Sequence, residues 1–183
     1  MSHVVADHAA DHTSDHPADH ASDHASDHAS EAAELEAQAA AGGPEANGLL
    51  IEAANQWWLA GDEVRCQRLL ATVIGQGGEA GCFARAELLG MLLTGGDRTG
   101  AEAELAALAG DPALTEGPCQ LVGELLSDHG ALTAALEWYD RVLGFWTDER
   151  HAAATTESGR RTVDRMLVQQ RQRVRKRLGL SPD

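Results

Sequence analysis

An all-α array of stacked helical hairpins is the fold expected for this chain, and three observations point to it. Gly61, Gly96 and Gly130 recur at intervals of 35 and 34 residues, each between two stretches of helical periodicity. A small residue follows each glycine by five positions (Cys66, Ala101, Ala135), and a larger one comes four later (Leu70, Leu105, Tyr139). No stretch sustains the alternation of apolar and polar residues that a half-buried strand needs. A register repeated this way marks units that bury their apolar faces only against one another.

In chain order, residues 1–30 read as a disordered tail. Residues 7–30 are six copies of Asp-His-x-x: Asp7-His8, Asp11-His12, Asp15-His16, Asp19-His20, Asp23-His24 and Asp27-His28. The tract offers no apolar side chain larger than alanine to offset the entropy of ordering, and Pro17 is expected to interrupt any helix through it. Residues 31–46 read as a short Ala/Glu-rich helix and a Gly-Pro linker, with Glu31 and Glu34 in its first turn and Gly42-Gly43-Pro44 at its end.

Three helix pairs follow, over about 47–78, 80–112 and 115–147. In the first, Leu49, Leu50, Ala53, Ala54 and Trp57 share one helical face, Gly61-Asp62 turns the chain, and Val64, Leu69, Leu70, Val73 and Ile74 form the second face. Phe83, Leu88, Leu89, Leu92 and Leu93 repeat the pattern, then a Gly95-Gly96-Asp97 turn, then Ala101, Leu105 and Leu108. The third copy uses Leu121, Val122, Leu125 and Leu126, then His129-Gly130, then Ala135, Leu136, Tyr139, Val142 and Leu143. Residues 155–179 read as a basic amphipathic helix that caps the array, with Val163, Met166, Leu167, Gln170, Val174 and Leu178 inward and Arg173, Arg175, Lys176 and Arg177 in its last turns.

These segments resemble tetratricopeptide repeats. The resemblance rests on the period, the Gly-Asp turns at 61–62 and 96–97, the small residues Cys66, Ala101 and Ala135, and the larger residues Leu70, Leu105 and Tyr139. Ala53-Ala54, Leu88-Leu89 and Val122-Gly123 stand where the family places a large-then-small pair, and the third fits best. It covers about residues 48–147 and is similar to small repeat proteins of GC-rich bacteria, in keeping with thirteen Arg against one Lys. The resemblance implies a stack whose concave face, lined by the first helix of each pair, binds peptides. It assigns Ile51, Asn55, Trp58, Phe83, Gln120 and Glu124 to that groove. Chaperone-binding members hold a terminal carboxylate in a basic clamp. Here Asn55 fits one clamp position while Ile51, Glu87, Gly117 and Leu121 occupy the others, so a segment with apolar or basic anchors is the expected partner.

Charge narrows the partners further. The formal net charge is −15; residues 31–154 hold twenty acids against six bases, and residues 155–183 hold eight bases against three acids. Nucleic acid is disfavoured for the body. No apolar run approaches the ~18 residues of a membrane span, and the N-terminus lacks a secretory signal, so cytoplasmic residence is expected. Catalysis is not expected: Cys66, Cys82 and Cys119 read as buried helical thiols, and Cys119 with His129 lacks an orienting third group.

The Asp-His tract carries the one pattern with metal-ligand character. Imidazoles and carboxylates suit zinc, nickel or copper, and histidines four apart share a helical face. The blander reading is a solvated spacer that needs no cofactor. A further expectation is acid response: protonated histidines would discharge the tail, which in its anionic form would lie on the cationic C-terminal helix.

Overall fold

The computed structural model describes residues 17–155 and 162–181, and every regular element among them is an α-helix. They are α1 (Pro17–Ala40), α2 (Ala46–Leu59), α3 (Glu63–Gln76), α4 (Gly78–Gly95), α5 (Arg98–Ala109), α6 (Glu116–Asp128), α7 (Leu132–Gly144), α8 (Asp148–Thr155) and α9 (Thr162–Arg177). Helices α2/α3, α4/α5 and α6/α7 form the three expected pairs, and α2, α4 and α6 stand side by side, α4 in the middle.

The three turns inside the pairs are built alike. Gly61, Gly96 and Gly130 have φ of +83°, +77° and +76°, a conformation open to glycine at little cost. The residue after each glycine donates its N–H back over the helix end: Asp62 to Trp57 O at 2.9 Å, Asp97 to Leu92 O at 2.9 Å, Ala131 to Leu126 O at 2.8 Å. Asp62 and Asp97 then cap the next helix, each Oδ1 accepting a backbone N–H at 3.0 Å, from Arg65 and Gly100. Ala131 supplies no such cap.

Close approach inside the pairs depends on the small residues. Cys66, Ala101 and Ala135 are fully or nearly fully buried. In the third pair a Cβ on Gly123 would lie 2.9 Å from Tyr139 Cε1, so glycine is what lets the tyrosine ring sit on α6. Val64 differs from expectation: at the first turn of α3 it points outward and is 80% exposed.

Two corrections concern the ends. Residues 17–30 are helical rather than disordered, and the short helix of 31–46 is the C-terminal part of one 24-residue element. Pro17 is the first of its described residues. Alanine proves sufficient for burial: Ala32 and Leu35, with Ala29, join Ala53, Ala54 and Trp57 of α2 in one core, and Ala39 is buried as well. Glu36 Oε1 accepts the Trp57 indole N–H at 2.6 Å, and its other oxygen lies 3.7 Å from Arg68. Of the tract, His28 and Ala29 lie against α2 and its core.

At the other end the cap has two pieces. Helix α8, absent from the expected element order, starts where Thr147 Oγ1 accepts the Arg150 N–H at 3.3 Å. Helix α9 then packs on α7 and α6 through Leu167 and Val174, whereas Met166, expected inward, is 52% exposed. Val163, expected on the inward stripe, has a side chain that lies outside the described residues.

Arg150 joins these pieces. Its guanidinium donates two bonds of 2.7 Å to Glu116 on α6 and bonds of 2.7 and 3.1 Å to Asp164 on α9, and lies 4.4 Å from the Trp146 ring centre. Asp164 is only 5% exposed. The outward pair Arg98–Glu102 is exposed on both sides and contributes at most about 0.5 kcal/mol. Losing Arg150 instead takes the cation away from a buried carboxylate. Arg150→Ala is expected to lower unfolding free energy by about 2–3 kcal/mol, measured by urea titration, while Arg98→Ala changes it by less than about 0.5 kcal/mol.

Candidate functional site

On the face where α2, α4 and α6 run side by side, a hollow of about 250 Å³ opens to solvent. Helix periodicity assembles it. Asn55, Trp58 and Leu59 come from α2, Glu87, Gly90, Met91 and Thr94 from successive turns of α4, and Leu125 from α6. Gly90 sets how close α6 comes, since a Cβ there would lie 3.0 Å from Leu125 Cδ2. Leu59 stands at the rim, 57% exposed.

Glu87 is the charged group of this hollow. Burial pushes its carboxyl above the ordinary range, and the Asn55 side chain, hydrogen-bonded to it, partly offsets that by favouring the anion. Among the described residues no arginine, lysine or histidine forms an ion pair with it.

Of the six residues assigned to the groove, Asn55 and Trp58 line the hollow. Ile51 lies one turn earlier on α2, half-buried against the N-terminal core. Phe83 lies over Gly117, where a Cβ would come within 2.6 Å of its Cζ. Gln120 and Glu124 face the cap instead: Glu124 Oε1 accepts from Gln120 Nε2 and from Gln170 Nε2 of α9, both at 2.9 Å. On α6, Gly117 and Leu125 approach Phe83 and Gly90 of α4, while Glu124 reaches across to Gln170 of α9 and holds Gln120 beside it. A second cavity, of about 330 Å³, adjoins that side between α6, α7 and α9, where acids Glu124 and Asp128 meet bases Arg173 and Arg177.

Met91, Thr94 and Leu125 were not assigned to the groove, whereas Glu87 stands at one of the clamp positions that the resemblance implies. Glu87 is also visible as an acid interrupting the apolar run Ala86–Leu89, and Leu125 as part of the third apolar stripe.

The metal assignments divide. His24 and Asp27 are exposed on α1, and His28 Nδ1 lies 2.7 Å from Gln56 Oε1 at the α1–α2 contact. His8, His12, His16, Asp7, Asp11 and Asp15 lie outside the described residues, as do the side chains of Asp19, His20 and Asp23. Among the described residues no three His, Cys, Asp or Glu side chains gather as a metal-binding group.

The thiols are poorly disposed to nucleophilic chemistry. All three are buried, and burial pushes Cys66 and Cys119 up to about 11 and raises Cys82 as well. His129 is engaged elsewhere, its ring nitrogens 2.9 Å from Leu125 O and 3.5 Å from Thr94 Oγ1. Among the described residues no helix is long and apolar enough to cross a membrane. No family model, curated protein or solved structure matches the chain.

The carboxyl of Glu87 yields a pH prediction. The folded chain holds its proton more readily than the unfolded chain does, so this group adds stability as pH falls from the raised range into the ordinary carboxylate range. Glu87→Gln removes that dependence. Thermal melts across the acid range should show wild type gaining on the variant as pH drops; parallel curves would refute the assignment.

Proposed function

We propose that this chain is a non-catalytic cytoplasmic adaptor of tetratricopeptide-like build, which binds a peptide or protein segment along the shared face of α2, α4 and α6. The hollow on that face carries the reading: three successive leading helices contribute to it, its walls are largely apolar, and it opens to solvent. At about 250 Å³ it is smaller than the roughly 300–1,000 Å³ typical of small-molecule sites. That size suits one anchoring side chain of a segment whose remainder lies along the face.

The absence of a basic clamp supports an uncapped segment rather than a chain terminus. Asn55 is the polar neutral member of the hollow, and Glu87 repels a carboxylate. The buried thiols with raised pKa values further support a binding role over thiol chemistry.

Rim residue Leu59 gives a test that spares the core. Proximity labelling in cells with wild type and Leu59→Asp, both checked for folding by circular dichroism, should show a set of labelled proteins that the variant loses. Identical labelling by the two, with both folded, overturns this surface as the binding face.

A further inference from the structure

A carboxylate set in an apolar recess is costly without a cation beside it. Elsewhere the chain supplies one: Glu104 pairs with Arg85 at 2.9 Å, Asp140 with Arg171 at 2.7 Å, and Glu116 and Asp164 share Arg150. Glu87 has the Asn55 amide and no ion-pair partner among the described residues. The neighbouring titratable group that feels its charge is the Cys66 thiol of α3, which is neutral at physiological pH.

The tryptophans show the same gap. Trp57 carries the Arg65 guanidinium at 4.3 Å, Trp138 carries Arg141 at 5.1 Å, and Trp146 carries Arg150 at 4.4 Å. Trp58 carries none among the described residues, and it lines the recess that holds Glu87. Arg150 is an internal template: one guanidinium with carboxylates at its donors and an indole at its face. The hollow presents an indole and a carboxylate without the arginine.

We propose that the hollow between α2 and α4 receives the guanidinium of an arginine from a partner protein, with Glu87 accepting its N–H donors and the Trp58 ring taking its face. The proposal rests on the peptide-binding reading and narrows it to a segment with an arginine anchor. Leu59, Met91 and Leu125 at the walls match the methylene stem of an arginine, which buries along apolar surface while its head stays polar. A planar fork of five donors suits a carboxylate and a ring face together better than a point-charge ammonium does. The surplus of acids over bases in residues 31–154 would draw a cationic segment toward this face.

The test uses the full chain and two synthetic peptides, acetyl-Gly-Leu-Arg-Leu-Gly-amide and its citrulline counterpart, which keeps the shape and loses the charge. Binding is followed by NMR at the Trp58 indole N–H. The arginine peptide is expected to shift that signal and to bind at least about tenfold more tightly than the citrulline peptide. Glu87→Gln should erase the preference, and acidification should weaken the arginine peptide alone, as Glu87 takes up its proton. Equal affinity for both peptides with a shifted Trp58 signal sinks the arginine anchor but leaves the groove standing. A preference retained in Glu87→Gln sinks it too, by locating the charge recognition elsewhere. An unmoved Trp58 with both peptides also overturns the anchor, and the Leu59→Asp labelling experiment then judges the groove independently.

Discussion

Everything in this molecule depends on α4 being packed on both sides. Its Ala84 and Met91 belong to the core shared with α1, α2 and α3, and its Cys82, Ala86 and Leu89 to the core shared with α5, α6, α7 and α9. Such a helix must be apolar nearly all round and narrow where its neighbours cross, and Gly81, Cys82, Ala84, Ala86 and Gly90 meet both demands. Met91 shows the tightness: its sulfur lies 3.2 Å from the Cys66 thiol, between two buried residues of different helices. Glu87 stands on the remaining strip, and the hollow exists because that strip is left uncovered by α2 and α6.

The two ends solve a common problem by different means. A stack of pairs leaves an apolar face open at each terminus, and something must cover it. At the N-terminal end, alanines of α1 come close to alanines of α2, and Glu36 ties Trp57 and approaches Arg68. At the C-terminal end, Leu167 and Val174 fill the face of α7, and Arg150 locks α6, α8 and α9 together. Covering the third pair also engages Gln120 and Glu124, so the face left uncovered ends at α6.

Periodicity made the three pairs legible, because glycine turns and small contact residues leave fixed spacings in the chain. Asn55 and Trp58, which line the hollow, fall on one stripe of α2 with Ile51 before them. Gln120 and Glu124 share one side of α6, but helical phase alone does not say which neighbour a stripe meets; the bond from Gln170 of α9 to Glu124 enters only with the fold. The Asp-His tract misled in a different way. Its lack of large side chains suggested no burial, yet alanine against alanine brings two helices close. Helix α8 had a readable start in Thr147 and its two acids, but its purpose lies in Arg150, whose partners are 34 and 14 residues away.

Native-state hydrogen exchange on the full chain tests the shared-helix account most directly. If α4 is the common wall of two cores, the backbone amides of residues 82–94 should open only with the whole fold, at one free energy shared with the facing turns of α2 and α6. Exchange of those amides through a separate, lower-energy opening, with α2 or α6 remaining protected, would contradict it.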